Sequence, residues 1–380
     1  MVHSGADGSG GEGEAAARRS APRRRRRLGR WRVPLLIVMA LLAVVIADVL
    51  GTAVLKLAGI HKTYAEAEAG YRRPHPVFDH GFAPNTSTQE ATWGYLRHEV
   101  HVNSLGMKDA SVREVPAKAP GTRVLFAGDS FTEGIGCAYE DTFVGRLAAA
   151  WAPRGIDVLN LGCSSYSPII YWRKVRWLVE EQHVSFDRLV VCLDMSDIIN
   201  EATSYQLGED GNVHQQVRGV SSRWKLFLSE HTILLNAIRT MIHDLRHAVR
   251  DGINVVDHEC SSWSFDEALW QRHGERGIAG CDHYLTLLRD YVAALGVPMT
   301  LVVYPWPDQV RRHEVDCRQR TYWAEWCARH GVQFVDLFPA FLDAGPAEQV
   351  LRDCFIKEDM HWNPRGHEVV ARELLEALTF

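Results

Sequence analysis

What the chain lacks narrows its chemistry. It has no Cys-x-x-Cys pair, which argues against a zinc ribbon or a dithiol redox motif, and no Gly-x-Gly-x-x-Gly or phosphate loop follows a strand-like run. No bound cofactor is therefore called for. Acidic residues are missing from Arg18 to Arg32, where nine arginines stand. Subtracting those nine charges from the net −5 leaves the rest of the chain near −14. A body this acidic does not suit nucleic acid, and an arginine run directly before an apolar segment reads as a membrane flank. No internal repeat or low-complexity tract appears after residue 58, which excludes a solenoid or a propeller.

One long apolar run is present. Val33 to Leu55 is 23 residues with a single charge, Asp48, and about 20 residues span the hydrocarbon core. At ~1.5 Å rise per residue Asp48 lies about 22 Å from Val33, near the outer interface. At mid-membrane its carboxylate would cost on the order of 3 kcal/mol. The positive-inside rule keeps the arginines cytoplasmic and sends everything beyond about residue 58 outward. A cleaved signal peptide is the alternative, with Gly51-Thr-Ala53 as a small-residue cleavage site. The expected organisation is a disordered basic cytoplasmic tail (1–32), a transmembrane helix (33–55), a juxtamembrane stalk and lead-in (56–120), and an α/β domain (121–380) with an insertion at about 200–280. The chain is expected to be a single-pass protein of the cell membrane.

From residue 121 strands and helices alternate. Val124-Leu-Phe-Ala127, Val158 to Gly162, Arg188 to Leu193, Met299 to Tyr304 and Val332 to Leu337 read as buried strands. Helices are expected over Asp141–Trp151, Ser167–Glu181, Asp282–Leu295, Arg318–His330 and Gly366–Leu378. Such alternation implies a mainly parallel sheet of about five strands in a three-layer α/β/α sandwich. Residues 200–280 break the rhythm and are expected to hang over the crevice as a lid or substrate wall, with Trp263 and Trp270 either stacking on sugar rings or stapling the insertion down. Ser229–His247 reads as an amphipathic helix.

Gly128-Asp129-Ser130 ends the first strand, where open α/β sheets place their ligand crevice. A serine there can meet a carbonyl while nearby amides receive the developing oxyanion. A base and an orienting acid stand 231 residues later, in Asp359-Met-His361. Glu358 is the rival acid. Asp129 reads as a hydrogen-bond acceptor that fixes the serine loop, and His367 as a packing residue of the last helix. His80 is a loop histidine. His243 and His247 stand four apart, but without the Glu of a metalloprotease helix they read as a solvated face, so no metal site is expected.

Together Gly128-Asp129-Ser130, Asn160-Leu-Gly162, Asp194-Met-Ser-Asp197 and Asp359-Met-His361 resemble the blocks of the SGNH (GDSL-type) hydrolase family, over about Asn103 to the C-terminus. The resemblance implies a flavodoxin-like sheet, Ser130, His361 and Asp359 as catalytic residues, and an oxyanion hole from Ser130, Gly162 and Ser196, with Asp197 in support. Ser196 occupies the place of the family's Asn. The membrane-anchored layout is similar to the branch that handles acyl esters on envelope polysaccharides, including alginate-acetylating proteins, although those carry the Asp-x-His pair before the serine. An esterase acting on O-acetyl groups of an extracytoplasmic glycan, or on a small acyl ester, is implied. The alternatives are an O-acyltransferase fed by a membrane acyl-donor protein, and a non-catalytic glycan-binding or assembly protein. Eight cysteines facing an oxidising compartment suggest disulfides, with Cys137–Cys163 and Cys260–Cys281 as candidates and Cys192 as a buried thiol.

Overall fold

Runs of branched apolar residues build the centre of the sheet. The computed structural model describes residues 32–58, 70–94, 96–216, 231–235, 237, 238, 241 and 259–380. Twelve strands form among them: β1 (Arg72–His75), β2 (Asp79–Phe82), β3 (Ser87–Trp93), β4 (Leu96–Val102), β5 (Lys108–Asp109), β6 (Arg123–Ala127), β7 (Asp157–Asn160), β8 (Arg188–Leu193), β9 (Tyr205–Leu207), β10 (Val213–Gln215), β11 (Met299–Val303) and β12 (Gln333–Asp336). β6 and β11 are buried along their whole length.

The main sheet has the order β12-β11-β8-β6-β7-β5-β4-β3. Its first five members are parallel. In chain order they lie 2-1-3-4-5, a doubly wound arrangement whose switch point falls between β6 and β8. The sequence implies about five strands, and the sheet has eight. The three extra strands come from the lead-in, where β5 pairs antiparallel with β7 and carries β4 and β3 beyond it. β3 escapes detection because it is an edge strand: only Ala91 is buried, so there is no apolar alternation to read.

Polar contacts fix this lead-in to the α/β body. Lys108 is buried in β5, and its Nζ donates to the carbonyls of Gly134 at 2.9 Å and Cys137 at 2.6 Å. Burial lowers its pKa to about 8. Arg72 of β1 forms an ion pair with buried Glu133. His80 bridges Asp79 (2.7 Å) and the Ser164 carbonyl (2.8 Å), holding the loop after β7.

Among the helices, Pro168–Glu180 and Met195–Thr203 pack on Glu275–Ala294, and Phe143–Trp151 packs on Pro364–Ala377. The helix expected from Asp282 begins earlier, at Glu275. Trp263 is buried and donates its indole N–H to the Met195 carbonyl at 2.9 Å, so it staples the insertion down and does not offer a sugar platform. The N-terminal helix Arg32–Leu57 is long and apolar enough to cross a membrane, and Thr52 is its only buried residue. Residues 1–31, and His243 and His247, lie outside the described residues.

All eight cysteines are thiols. The candidate bridges are not formed, because the sulfurs have separate partners. Cys137 Sγ faces the Trp362 carbonyl, Arg72 Nη1 donates to Cys163 Sγ, and Cys281 Sγ faces the Asp197 carbonyl.

The loops after β6 and β7 touch at Gly162. A Cβ there would sit 2.5 Å from the Glu133 nitrogen and 2.7 Å from the Thr132 carbonyl carbon, both unyielding backbone. Gly162→Ala is expected to destabilise the fold by about 1–3 kcal/mol, read as a lower urea midpoint at unchanged slope.

Candidate active site

Ser130 is the first residue of the short helix Ser130–Glu133, directly after β6. Gly128 permits the sharp entry, since a Cβ there would lie 2.0 Å from Thr132 Oγ1. Asp129 is the N-cap, its Oδ1 accepting from the Phe131 amide at 3.0 Å. The turn thus delivers Ser130 at the carboxyl edge of the sheet, beside the switch point.

His361 arrives from the other end of the chain. A bridge between Phe355 and Trp362 closes its loop, the Ile356 amide donates to the His361 carbonyl at 2.9 Å, and Asn363 caps the last helix through the amides of Arg365 and Gly366. Trp362 is buried between Phe131 and Tyr304, with ring centroids 4.7 Å from each. These contacts fix the direction of the imidazole. His361 Nε2 lies 2.8 Å from Ser130 Oγ, and Nδ1 lies 2.5 Å from Asp359 Oδ1. Asp359 also accepts from the His361 amide at 2.8 Å and, through Oδ2, from Trp93 Nε1 at 2.8 Å.

The electrostatics set the protonation pattern. Burial raises the Asp359 pKa, but the hydrogen bonds from the His361 ring and amide and from Trp93 outweigh it and hold the carboxyl below its usual value. An ionised Asp359 only accepts, so Nδ1 carries a proton and Nε2 is left to accept the serine hydrogen. Glu358 takes no part in this line: it sits at φ 63° with its half-exposed carboxylate 3.7 Å from Lys357 Nζ. His367 is buried and accepts from the Phe143 amide at 3.3 Å, and burial lowers its pKa well below the usual value.

The expected oxyanion donors are differently placed. The Ser130 amide, which has no intrahelical partner at a helix start, faces the carboxylate of the capping Asp129. The Gly162 amide donates instead to its neighbour Asn160 Oδ1 at 2.9 Å, while Asn160 Nδ2 reaches the Thr132 carbonyl at 2.8 Å. The Ser196 hydroxyl donates to Asp194 Oδ1 at 2.6 Å and lies 3.4 Å from Asp129 Oδ2. In this state Gly162 and Ser196 therefore spend their hydrogens internally, because acceptors stand within their own loops.

Behind the serine, oxygens of Asp129, Asp194 and Asp197 converge within 4.8 Å of one another, all three residues buried. Such a set has hard-cation ligand chemistry. Most of its oxygens, however, already serve donors: Trp306 Nε1 on Asp194 at 2.7 Å, Tyr171 Oη on Asp197 at 2.8 Å, and the Asp194 amide on Asp197 at 3.0 Å. Burial pushes all three pKa values up, and neighbouring carboxylates add to the rise at Asp129 and Asp197. Asp129 lies 3.2 Å from Ser130 Oγ, and favouring its neutral form leaves the serine hydrogen for His361.

The profile of the GDSL-like Lipase/Acylhydrolase family matches residues 126–369, the span from β6 into the last helix. The chain belongs to this family. Among GDSL-related and other hydrolase structures, it is similar to the psychrotrophic esterase EstA from Pseudoalteromonas sp. (11% identity, TM-score 0.36, covering 68% of this chain and 96% of that one). It is also similar to a lipolytic G-D-S-L protein from Veillonella parvula (15%, TM-score 0.32, covering 68% and 98%). An α/β hydrolase from the metagenome of Lake Arreo matches at 18% identity and TM-score 0.35, covering 68% and 95%. No curated protein matches.

Sequence reasoning missed Trp93. It lies 266 residues from Asp359, in the stretch read as a stalk, and no local signal marks it. The buried carboxyl cluster carries its own test. A group whose pKa is raised by folding stabilises the protein fully below its unfolded pKa, and that contribution is lost as pH rises toward the folded value. In Asp197→Asn the amide oxygen can keep the Asp194 and Tyr171 bonds, while its NH2 replaces Oδ1, which has no hydrogen-bond partner. The melting temperature of this variant is expected to fall less than the parent's between about pH 5 and pH 8, as read by thermal denaturation at both values. An equal fall would mean that the cluster does not hold the proton.

Proposed function

We propose that this protein is a membrane-anchored, extracytoplasmic serine esterase that removes small acyl groups, chiefly O-acetyl, from an envelope or extracellular glycan. The observation that carries the reading is the continuous line from Ser130 Oγ through His361 to Asp359, with contacts of 2.8 Å and 2.5 Å. His361 Nε2 takes the Ser130 proton as Oγ attacks the ester carbonyl. The tetrahedral intermediate then collapses, and the protonated imidazole delivers that proton to the leaving alcohol. Water, deprotonated by His361, attacks the acyl-serine; the acyl–Oγ bond then breaks, the imidazolium returns its proton to Ser130 Oγ, and the acid is freed. Asp359 keeps the imidazole in the required tautomer, and Trp93 holds the second carboxylate oxygen.

A small acyl group fits the surroundings. Ser130 is 7% and His361 5% exposed, with Phe131 and Trp93 against the imidazole at centroid distances of 4.9 Å and 5.3 Å. The anchor reading rests on Arg32–Leu57 together with the arginine-rich flank before it. A signal sequence would pass the same length and composition test.

The near-burial of Ser130 also supports a second reading. A shielded acyl-enzyme meets little water, so a bound glycan hydroxyl could take the acyl group and make the protein an O-acyltransferase served by a membrane acyl-donor protein. Incubating the detergent-solubilised full chain with p-nitrophenyl acetate, with and without acetyl-free oligosaccharide, separates the two. An esterase releases acetate at the same rate in both, and Ser130→Ala lowers that rate by about 10⁴-fold or more. Acetylated oligosaccharide in the mass spectrum would instead assign the transferase, and full turnover by Ser130→Ala would remove this site from the reaction.

A further inference from the structure

Asp48 is an acid inside an apolar helix, and the structure gives it partners. Its Oδ1 accepts from the amides of Ile233 (3.1 Å) and Leu234 (2.9 Å), and its Oδ2 from the Leu235 amide (2.9 Å). Thr52, one turn on and buried, accepts from the Ile233 amide at 3.1 Å. The Ala237 amide bonds to the Ile233 carbonyl at 2.9 Å, so helix begins here. A side chain of the apolar span thus satisfies the starting amides of a helix 185 residues away in sequence.

Among the described residues of that helix, the large exposed side chains are apolar. Leu234, Ile238 and Met241 are 50%, 38% and 57% exposed. Their spacing of four and three places them on one stripe. The neighbouring span has the same character, with Leu41, Leu42 and Leu50 62%, 57% and 62% exposed. The two apolar surfaces are joined at Asp48, so the medium that covers one reaches the other.

Depth follows from helix geometry. Asp48 is sixteen residues from Arg32 and eight from Lys56, about 24 Å and about 12 Å along the axis at ~1.5 Å per residue. With Arg32 at the inner edge of a hydrocarbon core about 30 Å thick, Asp48 lies about 6 Å inside the outer edge. Neither a bare carboxylate nor bare helix-start amides are tolerated there, and each resolves the other.

We propose that the segment starting at Ile233 is an interfacial membrane helix, seated in the outer leaflet by the Asp48 carboxylate, with Leu234, Ile238 and Met241 in contact with lipid acyl chains. The proposal rests on the reading of Arg32–Leu57 as an anchor. It gives the protein a second membrane contact, made by the insertion itself, which fixes the tilt of the catalytic body over the bilayer. The carboxylate at an otherwise costly position is then a structural cap.

The test uses the full chain in phosphatidylcholine vesicles, with a photoreactive amino acid at Met241 and a carbonate wash to report anchoring. Irradiation is expected to yield a lipid adduct on the Met241 peptide. Asp48→Leu makes the span more apolar, so the chain stays in the washed membranes and p-nitrophenyl acetate turnover is unchanged, while the adduct falls about fivefold, the size of a lost helix cap. A washed, membrane-retained chain with no lipid adduct, with an adduct to a co-purifying protein, or with an adduct indifferent to Asp48→Leu overturns this inference and leaves the anchor standing. A chain released by carbonate overturns both.

Discussion

The hydrogen bond between Ser130 Oγ and His361 Nε2 joins two loops 231 residues apart, and much of the fold is arranged to hold it at 2.8 Å. A hydroxyl and an imidazole share a hydrogen only within a narrow distance and angle. The serine side is held from below by β6 and from the front by Gly162, which lets the loop after β7 close on Thr132 and Glu133. The histidine side is held by Trp362, wedged between Phe131 and Tyr304. Phe131 directly follows the serine and also touches the imidazole, so one aromatic cluster registers both loops.

Buried charge supplies the remaining rigidity. Glu133 ends the serine helix and is held by Arg72 from β1, while its other oxygen accepts from the Ser164 amide at 2.8 Å. Lys108 from β5 ties the carbonyls of Gly134 and Cys137. Both ties come from the lead-in, as does Trp93, which completes the surroundings of Asp359. A buried ion pair is weak support for net stability, because desolvation offsets its attraction, but breaking one leaves an uncompensated charge and so enforces a single arrangement. The lead-in is therefore an integral part of the site.

Much of this was legible in the sequence. The parallel strands show as runs of Val, Leu, Ile and Phe because they are buried, and the turn at Gly128-Asp129-Ser130 shows because a strand must end before a helix can start. Asp359 and His361 pair through local geometry, since two residues of separation suffice once the chain turns. What stayed hidden depends on tertiary contact. The choice between Asp359 and Glu358 is made by a left-handed backbone at Glu358, which carries its carboxylate to Lys357. β3 is polar because it is an edge strand, and the hydrogen bond from Trp93 spans 266 residues. The cysteines suggested bridges by their number, whereas each sulfur's neighbours are set by packing.

The most direct test of the central contact is chemical. Treat the full chain with a fluorophosphonate and map the adduct by peptide mass spectrometry. The assembled Ser130–His361–Asp359 line predicts a single phosphonylated peptide carrying Ser130, lost in Ser130→Ala and sharply slowed in His361→Ala. An adduct on another residue, or labelling that persists in Ser130→Ala, would contradict it.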